Sequence, residues 1–386
     1  MSTPGLIVIG SGPAGLSAAA TFREHNSDAP ITILTDDPAL PYQRPPLSKE
    51  FLRGDAEAGD ARLQEAAWFT DRGIDIVIGE VTAIDTHARQ VSAGDEVHPY
   101  RWLVIAAGAR PTPPAMPGAE RALLLRSLAQ AQRLRDAAQE AKSAVVIGSG
   151  FIGCEAAASL AMRGITTTLV AHHDVPQAKR LGSEAGERIA AMIGDAGARY
   201  LGGSGVAEIL DGAVRLDTGE TIECDLVLAA TGVTPQAALA EAAGIETGYG
   251  RVLVDSAMRT SAENVFAAGD VAWAHNDAAG RRVAVEHWQD ADDQGVVAGA
   301  NAAGQTQRWS AVPGFWTTIG EETLKYHSWG DGYDRALLRN HDDGFTVWYV
   351  ADGAVVGVLT HNADDDYDRA EPLISAKKPL PADVAA

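Results

Sequence analysis

The chain has 386 residues, a length at which a single hydrophobic core usually gives way to two or three domains. Its 31 basic and 52 acidic side chains give a formal net charge of −21, which repels nucleic-acid backbones and anionic lipid surfaces. We therefore expect neither a nucleic acid nor a membrane as partner.

The two cysteines, Cys154 and Cys224, are 70 positions apart, so neither a zinc knuckle nor a CxxC redox pair can be written. We expect no metal site and a reducing cytoplasm as location. The first residues lack a basic and apolar leader, and the apolar stretch 143–162 contains Glu155. We therefore expect neither a signal peptide nor a membrane span.

The first predicted elements are a strand at residues 6–9 and a helix from Ala14 to about Glu24, with glycines between them. This order is a dinucleotide-binding fingerprint, in which the first glycine makes the turn, the second admits the pyrophosphate and the third lets helix and strand pack closely. N–H groups at the start of the helix then face the phosphates. The predicted binding residues are Gly10, Gly12, Pro13, Ala14 and Gly15.

An acidic pair ends the next predicted strand, which begins at Ile31. A carboxylate about 20 residues beyond such a fingerprint binds a ribose hydroxyl. We assign this role to Asp37, with Asp36 as the alternative. The competing interpretation is that Asp37 is a solvated loop acid.

A second fingerprint follows the predicted strand 144–147 and opens a helix that ends at about Arg163. Its predicted binding residues are Gly148, Gly150, Phe151, Ile152 and Gly153.

The ribose position of this second fingerprint, after the strand 165–170, is Ala171, and no carboxylate stands there to reject a 2′-phosphate. Lys179 and Arg180 lie slightly downstream and offer positive charge to such a phosphate. NADH and NADPH therefore both stay open. We interpret His172 and His173 as a cofactor edge or a solvated loop and not as a metal site, because no further ligands follow at a useful spacing.

Two apolar strands that end in small-residue turns, 103–108 and 226–232, repeat in the same order as the two fingerprints. This repetition predicts two related nucleotide-binding domains, with further contacts at Ala107, Gly108, Thr231 and Gly232. From about residue 311 short alternating strands predict a small α+β domain. The predicted fold class is α/β, with two Rossmann-like dinucleotide-binding domains and this C-terminal domain.

Five motifs add a family resemblance over nearly the whole chain. They are Pro41-Tyr-Gln-Arg-Pro-Pro-Leu-Ser-Lys49, Leu125-Arg-Ser-Leu128, Gly150-Phe-Ile-Gly-Cys-Glu155, Ala267-Ala-Gly-Asp270, and Glu286-His-Trp288 followed by Gln294-Gly295. With these motifs the chain resembles the FAD-dependent ferredoxin and rubredoxin reductases that serve oxygenases, within the wider group of flavoproteins with two dinucleotide sites. The resemblance implies FAD at the first fingerprint and NADH or NADPH at the second.

The resemblance also implies a catalytic pair, in which Lys49 lies by the flavin ring, stabilises negative charge on the reduced flavin, and pairs with Glu155. A surface lysine and a first-turn helix acid are the alternatives. Further FAD contacts are implied at Arg44, Val81, Arg126, Gly269, Asp270, Glu286, His287 and Trp288. For Trp288, implied at one edge of the isoalloxazine, and for Arg126, the alternatives are a core aromatic and a surface arginine.

On this basis we predict an FAD-binding domain at residues 1–112 and 248–310, an NAD(P)-binding domain at 113–247 and a C-terminal domain at 311–386. Hydride is expected to pass from NAD(P)H to FAD, and single electrons from FAD to a ferredoxin- or rubredoxin-type iron–sulfur protein. The chain lacks the Cys-x4-Cys pair through which related disulfide reductases pass electrons.

Alternative functions are an NAD(P)H oxidase or quinone reductase, and a signalling flavoprotein resembling apoptosis-inducing factors. Whether the chain forms a homodimer stays open. The sequence Phe315-Trp-Thr-Thr-Ile-Gly-Glu321 departs from the aromatic, polar and acidic run of similar reductases, in the region where a redox partner is expected to dock. The acidic run 364–368 is expected to be a solvated loop.

Overall fold

The computed structural model describes residues 4–385, in which runs of consecutive strands are separated by helices. The strands are β1 (Gly5–Ile9), β2 (Ile31–Thr35), β3 (Ile74–Ile78), β4 (Val81–Asp85), β5 (Gln90–Ala93), β6 (Glu96–Ile105), β7 (Ala109–Pro111), β8 (Ser143–Ile147), β9 (Thr166–Val170), β10 (Arg199–Leu201), β11 (Val206–Leu210), β12 (Ala213–Leu216), β13 (Thr221–Glu223), β14 (Leu226–Ala229), β15 (Val233–Pro235), β16 (Thr247–Gly248), β17 (Arg251–Val254), β18 (Val265–Ala267), β19 (Ala272–Asn276), β20 (Arg281–Val283), β21 (Gly314–Ile319), β22 (Glu322–Ser328), β23 (Arg335–Asn340), β24 (Phe345–Ala351) and β25 (Ala354–His361).

The helices are α1 (Pro13–His25), α2 (Glu50–Arg53), α3 (Ala66–Asp71), α4 (Leu128–Glu140), α5 (Phe151–Met162), α6 (Ala178–Asp195), α7 (Ala238–Ala242), α8 (Trp288–Ala302), α9 (Asp364–Ser375) and α10 (Ala382–Ala385). Short 3₁₀ helices lie at Pro45–Ser48, Ala119–Arg121 and Gly269–Val271.

The chain divides into two compact units. The first unit contains the described residues up to Gln43 with Arg62–Arg110 and Thr234–Pro313, and the second unit contains Arg44–Ala61, Pro111–Val233 and the residues from Gly314 onward.

The first unit is built on a parallel sheet in the order β3-β2-β1-β6, with β18 also parallel to β6. Strand β6 continues into an antiparallel meander with β5 and β4. The central strand β1 is buried along its whole length, as its uninterrupted apolar sequence predicts. Because these parallel strands all end at one edge of the sheet, the segments that follow β1, β6 and β18 meet there.

Helices α1 and α8 of the first unit pack through small residues. A Cβ atom added at Gly295 would lie 2.3 Å from the Ala14 carbonyl oxygen, and one at Gly299 would lie 2.2 Å from that of Ala18. The two backbones therefore approach so closely that both positions on α8 require glycine.

The second unit repeats the parallel arrangement in the order β10-β9-β8-β14. The central strand of each unit ends in an equivalent backbone hydrogen bond. Gly10 N–H donates to Leu34 O at 2.8 Å in the first unit, and Gly148 N–H donates to Val170 O at 2.9 Å in the second. The predicted duplication of the nucleotide-binding fold is therefore confirmed.

The C-terminal part of the second unit is an antiparallel sheet in the order β21-β22-β25-β24-β23, with α9 packed against it. This agrees with the predicted α+β segment, but the expectation of a solvated loop at residues 364–368 is wrong. Asp364, Asp365 and Asp366 form the first turn of α9, where the helix dipole favours negative charge. Asp364 also binds Lys325 at 2.8 Å, and Asp366 accepts a hydrogen bond from Thr346.

Among residues 4–385, no helix is both long enough and apolar enough to cross a membrane. The predicted fold class, two Rossmann-like halves with a small α+β C-terminal segment, is confirmed.

The close contact between α1 and α8 predicts the effect of one added methyl group. We expect Gly299→Ala to lower the free energy of unfolding by about 1–3 kcal/mol, because the new Cβ must push two helix backbones apart. Gly194→Ala, in α6 where a Cβ meets nothing within 4 Å, should leave stability unchanged or raise it by about 0.4–1 kcal/mol. Urea titration of both variants measures the difference, and equal stabilities would contradict the proposed packing.

Candidate functional site

The first fingerprint contains two glycines that the fold itself requires. Gly10 has φ +104°, and a Cβ there would lie 2.3 Å from the Ala106 carbonyl oxygen. A Cβ at Gly15 would lie 2.0 Å from the Gly10 carbonyl oxygen. Gly10 therefore makes the turn after β1, and Gly15 lets α1 pack against that turn.

Gly12 is different, because its backbone (φ −71°, ψ −177°) is open to any residue. It forms the N-cap of α1 without a side-chain cap, and Pro13 and Ala14 begin the helix as buried residues. The N–H groups of this first turn have no partner within the helix. A glycine that the backbone does not need, before such a turn, fits a phosphate group that must approach the backbone.

Asp37 lies two residues beyond the end of β2, and local contacts fix its carboxylate. Tyr42 donates its hydroxyl to Oδ2 at 2.7 Å, and Ala39 N–H donates to Oδ1 at 3.0 Å. The neighbouring Asp36 is exposed. Of the two acids, Asp37 is therefore the one whose position is fixed, and Tyr42 is a residue that the sequence argument missed.

Among the other predicted FAD residues in the first unit, those at 107, 108, 269 and 270 follow the ends of β6 and β18. Those at 286–288 lie between β20 and the start of α8, and Val81 is the half-buried first residue of β4. The turn after β6 is held by Gln236, whose side-chain amide donates to Ala107 O at 2.7 Å and whose N–H donates to Gly108 O at 2.9 Å. After β18, Gly269 N–H donates to the Gln294 side chain at 2.9 Å. Gln294 therefore fixes the loop that carries Asp270.

Arg251 links two of the predicted segments, which sequence reasoning did not anticipate. Its guanidinium donates to the Asp270 carbonyl oxygen and to the Glu286 carboxylate. Beyond Glu286, His287 forms the N-cap of α8 and contacts Asp290 at 3.1 Å. Trp288, the first residue of α8, is half-buried, so it is not a core aromatic.

The Trp288 indole Nε1 is buried, and no hydrogen-bond partner for it is found among the described residues. Buried donors are normally paired. An orphaned donor at the N-terminus of α8 fits a polar ligand atom at this position.

The second fingerprint reproduces the geometry of the first. Gly148 has φ +103°, and a Cβ there would lie 2.5 Å from Ala230 O, whereas a Cβ at Gly153 would lie 1.9 Å from Gly148 O. Gly150 has an extended backbone (φ −65°, ψ 169°), and a Cβ added there would meet no atom within 4 Å. Phe151 packs edge-on against Phe315, with 4.8 Å between ring centroids, and Ile152 is exposed.

A cavity of about 670 Å³ opens beside this second fingerprint. Several predicted NAD(P) residues line it, namely Gly148, Gly150, Ala171, Lys179, Arg180, Thr231 and Gly232. Tyr326 and Tyr349 of the C-terminal sheet, with Tyr333 of the loop between β22 and β23, form a further wall that the sequence argument did not foresee. The size and the mixed apolar and polar lining are typical of a ligand pocket.

Lys49 and Glu155 form a buried ion pair in the second unit. Lys49 Nζ lies 3.2 Å from Glu155 Oε1, and both residues are no more than 5% exposed. The Glu155 carboxylate also accepts hydrogen bonds from Ser48 Oγ at 2.5 Å and from Thr317 Oγ1 at 2.6 Å. Three donors offset the cost of burying this carboxylate.

This arrangement excludes both alternatives for the pair, since Lys49 is not a surface lysine and Glu155 lies beyond the first turn of α5. Ser48 and Thr317 were not identified from the sequence. Arg44 and Arg126, two further predicted FAD residues, are half-buried residues of the same unit, so Arg126 is not a freely exposed arginine.

Comparison with known proteins gives two family matches in the same chain. The model of the family described as pyridine nucleotide-disulphide oxidoreductase matches residues 4–295, and that described as reductase C-terminal matches residues 314–386.

Individual relatives match over nearly the whole chain. Rhodocoxin reductase of Rhodococcus erythropolis is 32% identical, with 99% of this chain and 92% of the relative covered. The anthranilate 1,2-dioxygenase system ferredoxin–NAD(+) reductase component of Burkholderia cepacia is 31% identical, with 97% and 95% covered. The crystal structure of the covalent putidaredoxin reductase–putidaredoxin complex contains a chain with a TM-score of 0.93 at 27% identity, with 99% and 95% covered.

The family resemblance that the sequence motifs suggested is therefore confirmed. With two glycine cradles of the same geometry and a separate reductase-type C-terminal segment, this chain belongs to the pyridine nucleotide-disulphide oxidoreductase family.

Proposed function

We infer that the chain is an FAD-dependent NAD(P)H oxidoreductase that reduces a ferredoxin- or rubredoxin-type iron–sulfur protein. The observation that carries this inference is the presence of two glycine cradles, each with one central glycine, Gly12 or Gly150, in a backbone conformation that any residue can adopt. Relatives named as reductases of rhodocoxin and of a dioxygenase ferredoxin support the iron–sulfur acceptor.

Bound FAD supplies the chemistry that converts one hydride from NAD(P)H into two single electrons for two iron–sulfur acceptors. The chain positions both dinucleotides. The turns at Gly10 and Gly148 present N–H groups at the starts of α1 and α5, where the helix dipole favours phosphate. Asp37, fixed by Tyr42, is proposed to bind the adenosine ribose of FAD.

Lys49 is proposed to supply a fixed positive charge to the flavin, as the family resemblance implied. The ammonium group has three donors, and Glu155 accepts one of them at 3.2 Å. The carboxylate is itself held by Ser48 and Thr317, so the ion pair orients the ammonium group without free rotation of either side chain. Neither residue is assigned a proton transfer.

The three-domain division by cofactor, with FAD at 1–112 and 248–310, NAD(P) at 113–247 and a C-terminal domain at 311–386, is part of this proposal. The separate match of the reductase C-terminal model to residues 314–386 supports its last boundary. A cytoplasmic location also belongs to the proposal and is supported by two free cysteines, both buried.

The thiol-dependent oxidase is the less favoured alternative. Burial, and the neighbouring Glu155 carboxylate, raise the pKa of the Cys154 thiol, and burial raises the pKa of Cys224 to about 11. Both cysteines are thus protonated near neutral pH, whereas the thiolate is the reactive form. Electrons are therefore expected to leave from FAD directly.

Reoxidation of the reduced protein tests the acceptor. After anaerobic reduction with NADH or NADPH in a stopped-flow instrument, we expect a [2Fe–2S] ferredoxin or a rubredoxin to restore the flavin absorbance faster than oxygen or a quinone does. Reoxidation by oxygen or quinone alone would replace the proposed function with an oxidase or quinone reductase. A long-lived reduced complex that ignores every acceptor would favour the signalling alternative.

Lys49→Met tests the fixed charge. We expect flavin reduction by the coenzyme to slow by about 10–100-fold, with FAD retained, because one positive charge next to the reacting group is lost. Potentiometry of the bound flavin should give a more negative potential, which a purely structural role of Lys49 would not change. Lys49→Arg should recover most of the rate.

Lys142→Met is the matched control for Lys49→Met, since it removes an exposed cation of the same unit. It should leave the rate and the potential unchanged. An unchanged potential in Lys49→Met, or an equal shift in Lys142→Met, would remove the proposed role.

A crossed pair of valine variants tests the two cradles. Gly12→Val should yield a folded but colourless protein, because the side chain occupies the phosphate position while its backbone conformation is retained. Gly150→Val should fold and stay yellow, because a Cβ there meets no protein atom within 4 Å. It should lose coenzyme binding, because the valine side chain occupies the phosphate position of the second cradle. Flavin absorbance and coenzyme titration measure both, and a yellow Gly12→Val protein would contradict the assignment.

A further inference from the structure

The cavity beside the second fingerprint has an unusual charge for this chain. The protein carries 52 acidic and 31 basic side chains, yet none of the described residues lining the cavity is Asp or Glu. Lys179, Arg180, His172 and His173 all line it. A strongly acidic protein with a cation-lined cavity is arranged to bind an anion there.

The residue at the ribose position of this cavity indicates which anion binds there. Ala171, directly after β9, is buried and lines the cavity at the point where NAD-specific sites place a carboxylate. An alanine there neither binds the ribose 2′-hydroxyl nor repels a phosphate on it. The two following histidines are exposed and line the same cavity, and His172 Nδ1 lies 3.9 Å from the Asp217 carboxylate.

The turn that carries the two strongest cations is fixed by contacts at both of its ends. Lys179 and Arg180 lie in the first turn of α6, directly after Gln177. The Gln177 side-chain amide donates to Ser149 O at 3.3 Å, which ties this turn to the fingerprint loop. At the other end Tyr349 donates its hydroxyl to Leu181 O at 3.0 Å.

The electrostatics of the tyrosine wall agree with this geometry. Burial raises the pKa of Tyr349 strongly, so the phenol remains a donor to Leu181 throughout the physiological range. Burial also raises the pKa of Tyr326, while its hydrogen bond with Ser328 and the positive charge of Arg180 act in the opposite direction.

We propose that this cavity selects NADPH over NADH, with Lys179 and Arg180 binding the adenosine 2′-phosphate and His172 and His173 completing its surroundings. The proposal rests on the inferred function, whose coenzyme site it specifies. Gln177 and Tyr349 are positioning residues, because they fix the turn that carries the two cations.

The test measures binding to the purified holoprotein by calorimetry and needs neither turnover nor an electron acceptor. The probes are 2′,5′-ADP, which carries the 2′-phosphate, and 5′-AMP, which lacks it. For the unmodified protein we expect 2′,5′-ADP to bind about 100-fold more tightly, the size of two hydrogen bonds between charged groups. In the double variant Lys179→Ala/Arg180→Ala, the ratio of the affinity for 2′,5′-ADP to that for 5′-AMP should fall to about threefold or less. An unchanged affinity for 5′-AMP would show that the site is intact.

Lys142→Ala/Arg199→Ala is the matched control, because it removes the same two charges from exposed positions of the same unit outside the cavity lining. It should keep the preference for 2′,5′-ADP. Equal affinity of the two probes for the unmodified protein, or an equal loss in the control variant, would overturn the proposal. Neither result would contradict the inferred reduction of an iron–sulfur protein. Conversely, a protein that binds 2′,5′-ADP tightly but reduces no iron–sulfur protein would refute only the inferred function.

Discussion

The buried carboxylate of Glu155 is the interaction on which the second unit depends. Placing a charged carboxylate at 3% exposure costs several kcal/mol unless donors replace the lost water, and here three side chains do so. Ser48 and Lys49 come from one segment, Thr317 from the C-terminal sheet, and Glu155 from α5. Because α5 begins four residues before Glu155, the same contacts that satisfy the carboxylate also fix the helix N-terminus at the second fingerprint.

The two fingerprints show how one motif combines structural and ligand-related constraints. Gly10 and Gly148 need positive φ, and Gly15 and Gly153 need the absence of a Cβ, so these four are explained by the fold alone. The backbone conformations of Gly12 and Gly150 do not require glycine, and a Cβ at Gly150 meets no protein atom within 4 Å. Within each fingerprint, the glycine that the backbone conformation does not require is therefore the most informative about a ligand, although the three glycines look alike in the sequence.

Local patterns predicted much of the fold because their causes are local. The glycine turns, the apolar strands and the limits of α1 and α5 follow from residues within one or two turns of each other. The contact between Thr317 and Glu155 joins residues 162 positions apart, and nothing near either one signals the other. The Arg251 and Tyr349 contacts were missed for the same reason. The acids of α9 were misjudged because the sheet residues that contact them, Lys325 at Asp364 and Thr346 at Asp366, lie on other elements.

The pairing of α1 with α8 has a consequence for how the protein is made. Strand β1 and helix α1 come before their partners along the chain, because β18, which belongs to the same sheet as β1, and the Gly295–Gly299 face of α8, which packs on α1, lie more than 250 residues later. Contacts of such large sequence separation form slowly, since a long loop must close first. The nucleotide-binding fold of the first unit is therefore incomplete, with apolar surface exposed, until Gly299 has been synthesised. The parallel sheet of the second unit is complete earlier, once the chain has reached Ala229.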